Sequence, residues 1–164
     1  EVAVRATKDA SWQALLRVIV GQHVRRLMRH HDRSGAPVLF LLDELPRLGK
    51  MEPIREALEV GRSYGIKLWM IAQYPEQLQQ AYPGVGDGMM ESCDVRMYMN
   101  PTAATATKIE RAFGVARNVF TSKEKPRVDA TDIQGPAHRD SIFVLASGEE
   151  PTILRKRFFH QQRG

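Results

Sequence analysis

A single cysteine, Cys93, stands in a chain of 164 residues. That scarcity excludes an internal disulfide and any zinc cluster built on cysteines, and a lone thiol fits a reducing cytoplasm. Long apolar runs are missing as well: each stops short of the roughly 20 residues that a membrane helix needs. The first residues, Glu1-Val2-Ala3-Val4-Arg5, lack the basic stretch and apolar block of a secretory signal. No initiator Met precedes them, and the chain is expected to be part of a longer polypeptide. Repeats and low-complexity tracts are also absent. What remains is 43% apolar and 26% charged, which is ordinary for a globular protein with one core. A net charge of +5 permits an acidic partner such as nucleic acid without requiring one. Arg25, Arg26, Arg29 and Arg33 form the densest basic cluster, and Arg155, Lys156 and Arg157 form a second. Both read as solvated faces, the first also matching the negative end of its helix.

The most telling segment is Pro37-Val38-Leu39-Phe40-Leu41-Leu42-Asp43-Glu44. Its apolar run predicts a strand buried on both faces in the middle of a parallel sheet. Ligands of open α/β sheets bind beyond the carboxyl ends of such strands, where Asp43 and Glu44 would meet a metal-bound phosphate. This is the Walker B pattern of a P-loop ATPase, in which the Asp holds Mg²⁺ and the following Glu polarises the attacking water. A buried strand that merely exits into a solvated turn produces the same letters, so the neighbouring segments have to decide.

Residues 11–30 read as a first helix, with Ser11 as N-cap and Trp12, Leu15, Leu16, Ile19, His23, Val24 and Leu27 on one stripe. Gly35-Ala36-Pro37 breaks the chain before the strand, and the helix-strand order is that of a βαβ crossover. A second helix has Pro53 in its first turn, Ile54, Ala57, Leu58 and Gly61 as its packing stripe, and Gly65 as its stop. Residues 66–73 form a strand that ends in the amide Gln73, at the edge where the previous strand ends in carboxylates. A helix at 75–82, a glycine loop at 84–88, a short helix at 89–93 and a third strand at 95–100 follow. Thr102 caps a helix that Gly114 closes. Residues 118–139 read as a loop with a turn at Thr131-Asp132, and strands at 141–146 and 152–159 flank a hairpin turn. His23 reads as a partly buried packing residue. His30 and His31 have no carboxylate or cysteine at ligand spacing, and Met89, Met90, Met97 and Met99 read as core filler.

Three stretches in order, Leu42-Asp43-Glu44-Leu45-Pro46-Arg47-Leu48-Gly49, Glu59-Val60-Gly61-Arg62-Ser63-Tyr64-Gly65-Ile66 and Ile71-Ala72-Gln73-Tyr74-Pro75-Glu76-Gln77-Leu78, closely resemble the TraG/TraD family of type IV secretion coupling proteins. The likeness continues through Asn100-Pro101-Thr102-Ala103-Ala104-Thr105-Ala106 and the closing strands, so it covers nearly the whole chain. The resemblance implies an α/β, RecA-like P-loop NTPase fold, partial, with a mainly parallel sheet flanked by helices and a carboxyl-terminal hairpin. Residues 1–164 would then be the carboxyl-terminal portion of the ATPase domain. It implies a membrane-anchored homo-hexamer at the cytoplasmic face of the bacterial inner membrane. That assembly uses ATP and Mg²⁺ to deliver relaxase and single-stranded DNA to the type IV secretion channel during conjugation, with no small-molecule substrate other than ATP.

Carried over by position, the resemblance makes Asp43 the carboxylate that holds Mg²⁺ through water and Glu44 the catalytic base. Gln73 becomes the sensor of the γ-phosphate or attacking water, and Arg62 the arginine that reaches a neighbouring subunit's nucleotide. Plainer roles stay open: Arg62 as the cap of its helix, Gln73 as a satisfied strand end. The family's phosphate loop, Gly-x-x-x-x-Gly-Lys-Ser/Thr, is absent from the chain, since Gly49-Lys50 is followed by Met51 and no strand precedes Gly84-Gly86-Gly88. The loop and the anchor are expected upstream of residue 1. On its own the chain is therefore expected to bind Mg-ATP weakly or not at all. The alternative is a truncated, non-catalytic interaction or assembly module of the same fold. A RecA-like helicase or pilus-assembly ATPase outside this family is disfavoured by the Leu-Pro-Arg-Leu-Gly and Gln-Tyr-Pro-Glu-Gln-Leu stretches.

Overall fold

Three parallel strands carry the first part of the chain in the computed structural model, which describes residues 2–5, 10–29, 36–117 and 124–158. The molecule divides into two units, one up to Cys93 and one from Asp94. In the first, β1 (Val2–Arg5) leads through α1 (Ala10–Arg29) to β2 (Val38–Asp43), and α2 (Glu52–Val60) leads to β3 (Ile66–Met70). The sheet order is β1-β2-β3, with Phe40 opposite Val2 on one side and Leu68 on the other. Parallel neighbours require a crossover, and each of the two crossovers carries a helix. With only four residues, β1 is too short for its alternation to be read from sequence. α3 (Pro75–Ala81) and α4 (Gly86–Glu91) complete this unit.

Its core joins Val20 and Val24 of α1, Phe40 and Leu42 of β2, Ile54 and Ala57 of α2, and Ile66 of β3. Each large side chain removed from water here stabilises the fold by roughly 1.5–3 kcal/mol. β2 is less enclosed than expected. Phe40 and Leu42 are fully buried, whereas Leu39 and Leu41 on the other face are only half-buried, and Trp69, opposite Leu41, is 51% exposed. Both α1 and α2 belong to the face of Phe40 and Leu42, which explains the asymmetry.

α1 is also turned from its expected phase. Val20 and Val24 are its buried residues, with Leu16, Leu27 and Met28 partly covered, while Trp12, Leu15, Val18 and Ile19 are exposed. Apolar side chains occupy more than half of the helix circumference, so periodicity alone does not choose the inward side. His23 is exposed, and its Nδ1–H donates to the Ile19 carbonyl at 2.8 Å instead of packing in the core. The helix begins at Ala10, which places Ser11 inside it and not at the cap. The second helix continues as a 3-10 turn at Gly61–Tyr64, and Gly65 (φ 66°) stops it as expected, in a left-handed conformation that costs glycine nothing. Residues 84–88 are not a loop throughout, for Gly86 opens α4. Met89 is buried and Met90 packs beside it, but Met97 and Met99 are exposed and fill no core.

The second unit contains β4 (Val95–Tyr98), α5 (Ala103–Phe113), β5 (Val115–Arg117), β6 (Glu124–Pro126), α6 (Ala130–Gln134), β7 (Ser141–Ala146) and β8 (Thr152–Arg155). Its three-stranded sheet runs β4-β7-β8 with antiparallel neighbours, so the expected closing hairpin is present as β7 and β8. Thr102 caps α5 by accepting from the Thr105 amide, and Gly114 follows its last turn. Ala106, Ile109, Ile133 and Phe143 form the core, with Phe113 edge-on to Phe143 at 6.2 Å. Residues 118–139 were expected to be a loop. They hold α6, started by the Asp129 carboxylate accepting from the Thr131 amide at 2.8 Å, and β6, which pairs antiparallel with β5. Elements of three to five residues leave no periodic trace. β8 ends at Arg155, earlier than expected, and all four of its residues are exposed. Arg25, Arg26 and Arg29 are exposed as expected. Lys156 is not simply solvated: its Nζ donates to Asn100 Oδ1 (2.8 Å) and to the Arg139 carbonyl (2.6 Å). The expectations on His30, His31, Arg33, Gly35, Phe159 and residues 118–123 lie outside the described residues.

Candidate active site

β2 delivers its carboxylates at the carboxyl edge of the parallel sheet. Asp43 is the last residue of the strand and is half-buried. Glu44 then takes a left-handed conformation (φ 53°, ψ 42°), and with Asn100 it is one of two non-glycine residues at positive φ among the described residues. A left-handed glutamate is strained by roughly 1–2 kcal/mol, and such strain persists only where the surroundings enforce it. The enforcement is visible here. The 3-10 turn Leu45–Leu48 follows at once, with Leu45 and Leu48 buried in the core. The Leu45 amide donates to the Ile71 carbonyl at 3.1 Å, and the Ile71 amide to the Leu42 carbonyl at 3.0 Å.

That backbone stitching holds the exits of β2 and β3 side by side and fixes two side chains. Gln73 Nε2 donates to Glu44 Oε1 at 3.0 Å. The Gln73 amide in turn donates to Gln77 Oε1 at 3.0 Å, which ties this segment to the first turn of α3. Arg47 Nε lies 2.6 Å from Glu44 Oε2. With side chains 37% and 27% exposed, that ion pair adds only roughly 0.2–1 kcal/mol to stability, so its interest is geometric. Sequence reasoning singled out Glu44 and Gln73, and the structure joins them. It did not single out Arg47. In a 3-10 turn, residues three apart eclipse one another, but the glutamate-arginine spacing acquires meaning only once the turn is known.

Arg62 is elsewhere. It is exposed, in the turn Gly61–Tyr64 that precedes β3, whereas Gln73 follows that strand. The length of the strand, about 16 Å for five residues, separates it from the edge where Glu44 and Gln73 meet.

Two concavities of the described surface, about 370 Å³ beside Asn100 and Arg139 and about 340 Å³ beside Arg17 and Lys50, include neither Asp43, Glu44 nor Gln73, so the ledge formed by these three residues lies outside both. Among the described residues the edge offers one half-buried carboxylate, one carboxylate held by an amide and a guanidinium, and no cysteine or histidine. No group of three or more acids, histidines or cysteines could hold a metal among the described residues. Mg²⁺ does not need such a group, because it keeps several waters and binds through one or two carboxylates plus substrate phosphates. Oxygen donors at this strand end therefore fit Mg²⁺.

A family model described as type IV secretory system conjugative DNA transfer matches residues 2–142. The chain belongs to this family of coupling proteins. Among coupling-protein relatives, the conjugal transfer protein TraG of Escherichia coli is 32% identical over 124 residues, 69% of this chain and 20% of that protein. TraG of Rhizobium radiobacter is 39% identical over 70 residues, 43% of this chain and 11% of that protein. The coupling protein VirD4 of Bartonella quintana is 34% identical over 89 residues, 54% and 14% respectively. The chain thus spans a fifth or less of the length of these curated relatives. Solved structures of the conjugative coupling protein TrwB share its fold over 93% of the chain and 40% of theirs. An unbound form gives a TM-score of 0.71 at 16% identity, and a complex with the ATP analogue ADPNP gives 0.69 at 18%. The coupling-protein segment accordingly has part of an α/β, RecA-like P-loop NTPase fold. No helix among the described residues is long and apolar enough to cross a membrane.

Proposed function

We propose that residues 1–164 form the carboxyl-terminal portion of the ATPase domain of a coupling protein that hydrolyses ATP to deliver relaxase and single-stranded DNA to a type IV secretion channel. The observation that carries this reading is the 3.0 Å hydrogen bond from Gln73 to Glu44, made at one sheet edge by residues 29 apart in sequence. Glu44 is the general base. Two of its roughly four lone-pair sites are occupied by Gln73 and Arg47, which leaves others to accept a proton from the attacking water. Gln73 orients that water or the γ-phosphate, its own position being fixed through Gln77. Asp43 would hold Mg²⁺ through water, and the ion would supply charge neutralisation on the phosphates. TrwB has been solved with the ATP analogue ADPNP and, separately, with ADP and Mg²⁺, which supports ATP and Mg²⁺ as the cofactors here.

Arg62 acts in trans in this reading. Its place before β3, at the end opposite Gln73, supports service to a neighbour's nucleotide over its own. Hydrolysis then depends on assembly, taken to be a homo-hexamer at the cytoplasmic face of the inner membrane, with upstream polypeptide supplying the phosphate loop and the anchor. In the complete protein, Glu44→Gln is expected to retain nucleotide binding while kcat falls by about a hundredfold or more. Turnover equal to wild type in that variant would remove Glu44 from the mechanism. Calorimetry on the 164-residue chain is expected to show no saturable ATP binding in the micromolar range, and a clear isotherm there would refute the need for a separate phosphate loop.

A further inference from the structure

The geometry points to Arg47 as the positioning residue that sets the Glu44 carboxylate against Gln73, an inference that rests on the role of Glu44 proposed above. Three observations converge on it. Arg47 Nε engages Glu44 Oε2 at 2.6 Å while Gln73 holds Oε1 at 3.0 Å, so each carboxylate oxygen has its own donor and one orientation of the group is favoured. The backbone beneath is fixed by the same turn, because the Arg47 amide donates to the Glu44 carbonyl at 2.9 Å. The far end of the turn is pinned as well: the Arg17 guanidinium donates to the Leu48 carbonyl and, at 3.0 Å, to that of Lys50. A left-handed residue with a long, flexible side chain has no local reason to present its carboxylate in one direction. Arg47 supplies one.

A base displaced by about 1 Å loses on the order of a hundredfold in rate, while the ground-state affinity for nucleotide need not change. In the complete protein, Arg47→Ala is expected to lower kcat by roughly tenfold to a hundredfold, with KM for ATP within about twofold of wild type. Arg47→Lys should recover only part of the loss, since an ammonium keeps the charge but not the planar fork. A merely structural role would raise KM or impair nucleotide affinity and assembly instead. A second measurement does not depend on turnover: the Gln73 side-chain amide resonances, assigned in the 164-residue chain, should move in both Arg47→Ala and Glu44→Gln. Arg47→Gln serves in place of the alanine variant if that one fails to fold.

Where Glu44→Gln loses turnover, unchanged kcat in Arg47→Ala would overturn the assignment, and Gln73 amide resonances that stay in place would overturn it whatever the turnover. If Glu44→Gln retains full turnover while the Gln73 resonances move in both variants, the proposed base is wrong and the Arg47 clamp stands. If Glu44→Gln is inactive and Arg47→Ala is fully active, the base stands and the clamp fails.

Discussion

Substituting Glu44 by glycine and by alanine separates backbone strain from side-chain chemistry at the candidate base. Both variants lose the same contacts, the ion pair to Arg47 and the hydrogen bond from Gln73, so those losses cancel in the comparison. What differs is the conformation at φ 53°, ψ 42°, which is free for glycine and costs alanine roughly 1–2 kcal/mol. Ordinary helix and strand positions favour alanine over glycine by roughly 0.5–1 kcal/mol, so the sign here should be reversed. Glycine's entropic cost offsets part of that strain, so with a urea slope of about 2 kcal/mol/M for a small protein the glycine variant should unfold up to about 0.7 M later than the alanine variant, at equal slope. Both tryptophans of the chain, Trp12 and Trp69, lie in the first unit, so their fluorescence follows the unit that contains Glu44. An alanine variant with a midpoint equal to or above that of the glycine variant would show that the strained turn is not held in solution.

Further outcomes follow from the packing of the first unit. A Cβ on Gly86 would lie 2.7 Å from Gln79 Cα and 2.9 Å from the Leu78 carbonyl oxygen, so Gly86→Ala should destabilise by roughly 1–3 kcal/mol. Gly88→Ala meets nothing within 4 Å and should be neutral or stabilising by up to about 1 kcal/mol; melting temperatures that rank the two the other way would contradict the placement of α4. Tyr82, fully buried, accepts a hydrogen bond from the Met51 amide at 3.2 Å, and Tyr82→Phe should cost roughly 1–3 kcal/mol by leaving that amide unpaired. Burial, opposed by the Met51 bond, pushes the Tyr82 hydroxyl above its ordinary value. Its stabilising share is therefore fully present below about pH 10 and is lost as pH rises beyond that through the folded-state value. Stability measured from pH 9 upward should fall less steeply in the phenylalanine variant, and equal slopes would count against Tyr82 as the titrating group.

The sheet edge was legible because its signal is local. An apolar run closed by Asp43-Glu44 and a second one leading to Gln73 mark two strands, and parallel pairing brings their ends together. The turn chemistry around Gly65, Thr102 and Gly114 was equally plain, since each needs only a few neighbouring residues. Burial was harder to read. α1 carries Trp12, Leu15, Val18 and Ile19 as well as Val20 and Val24, and only its packing partners select among them. His23 followed the wrong phase for that reason, and β1, β5, β6 and α6 were too short to show a period. Arg47 belongs to a third kind of feature: its meaning depends on a left-handed glutamate and an eclipsed turn, neither of which a string of letters encodes.

The stitching between Leu42, Leu45 and Ile71 also bears on how tolerant the ledge is to change. Neighbouring strands lie about 4.8 Å apart whatever their side chains, so the spacing of the two backbones that carry base and amide is measured out by peptide groups, and only the direction of the side chains is left to Arg47. Drift among the apolar residues beneath can soften the interior while this main-chain ruler keeps its gauge.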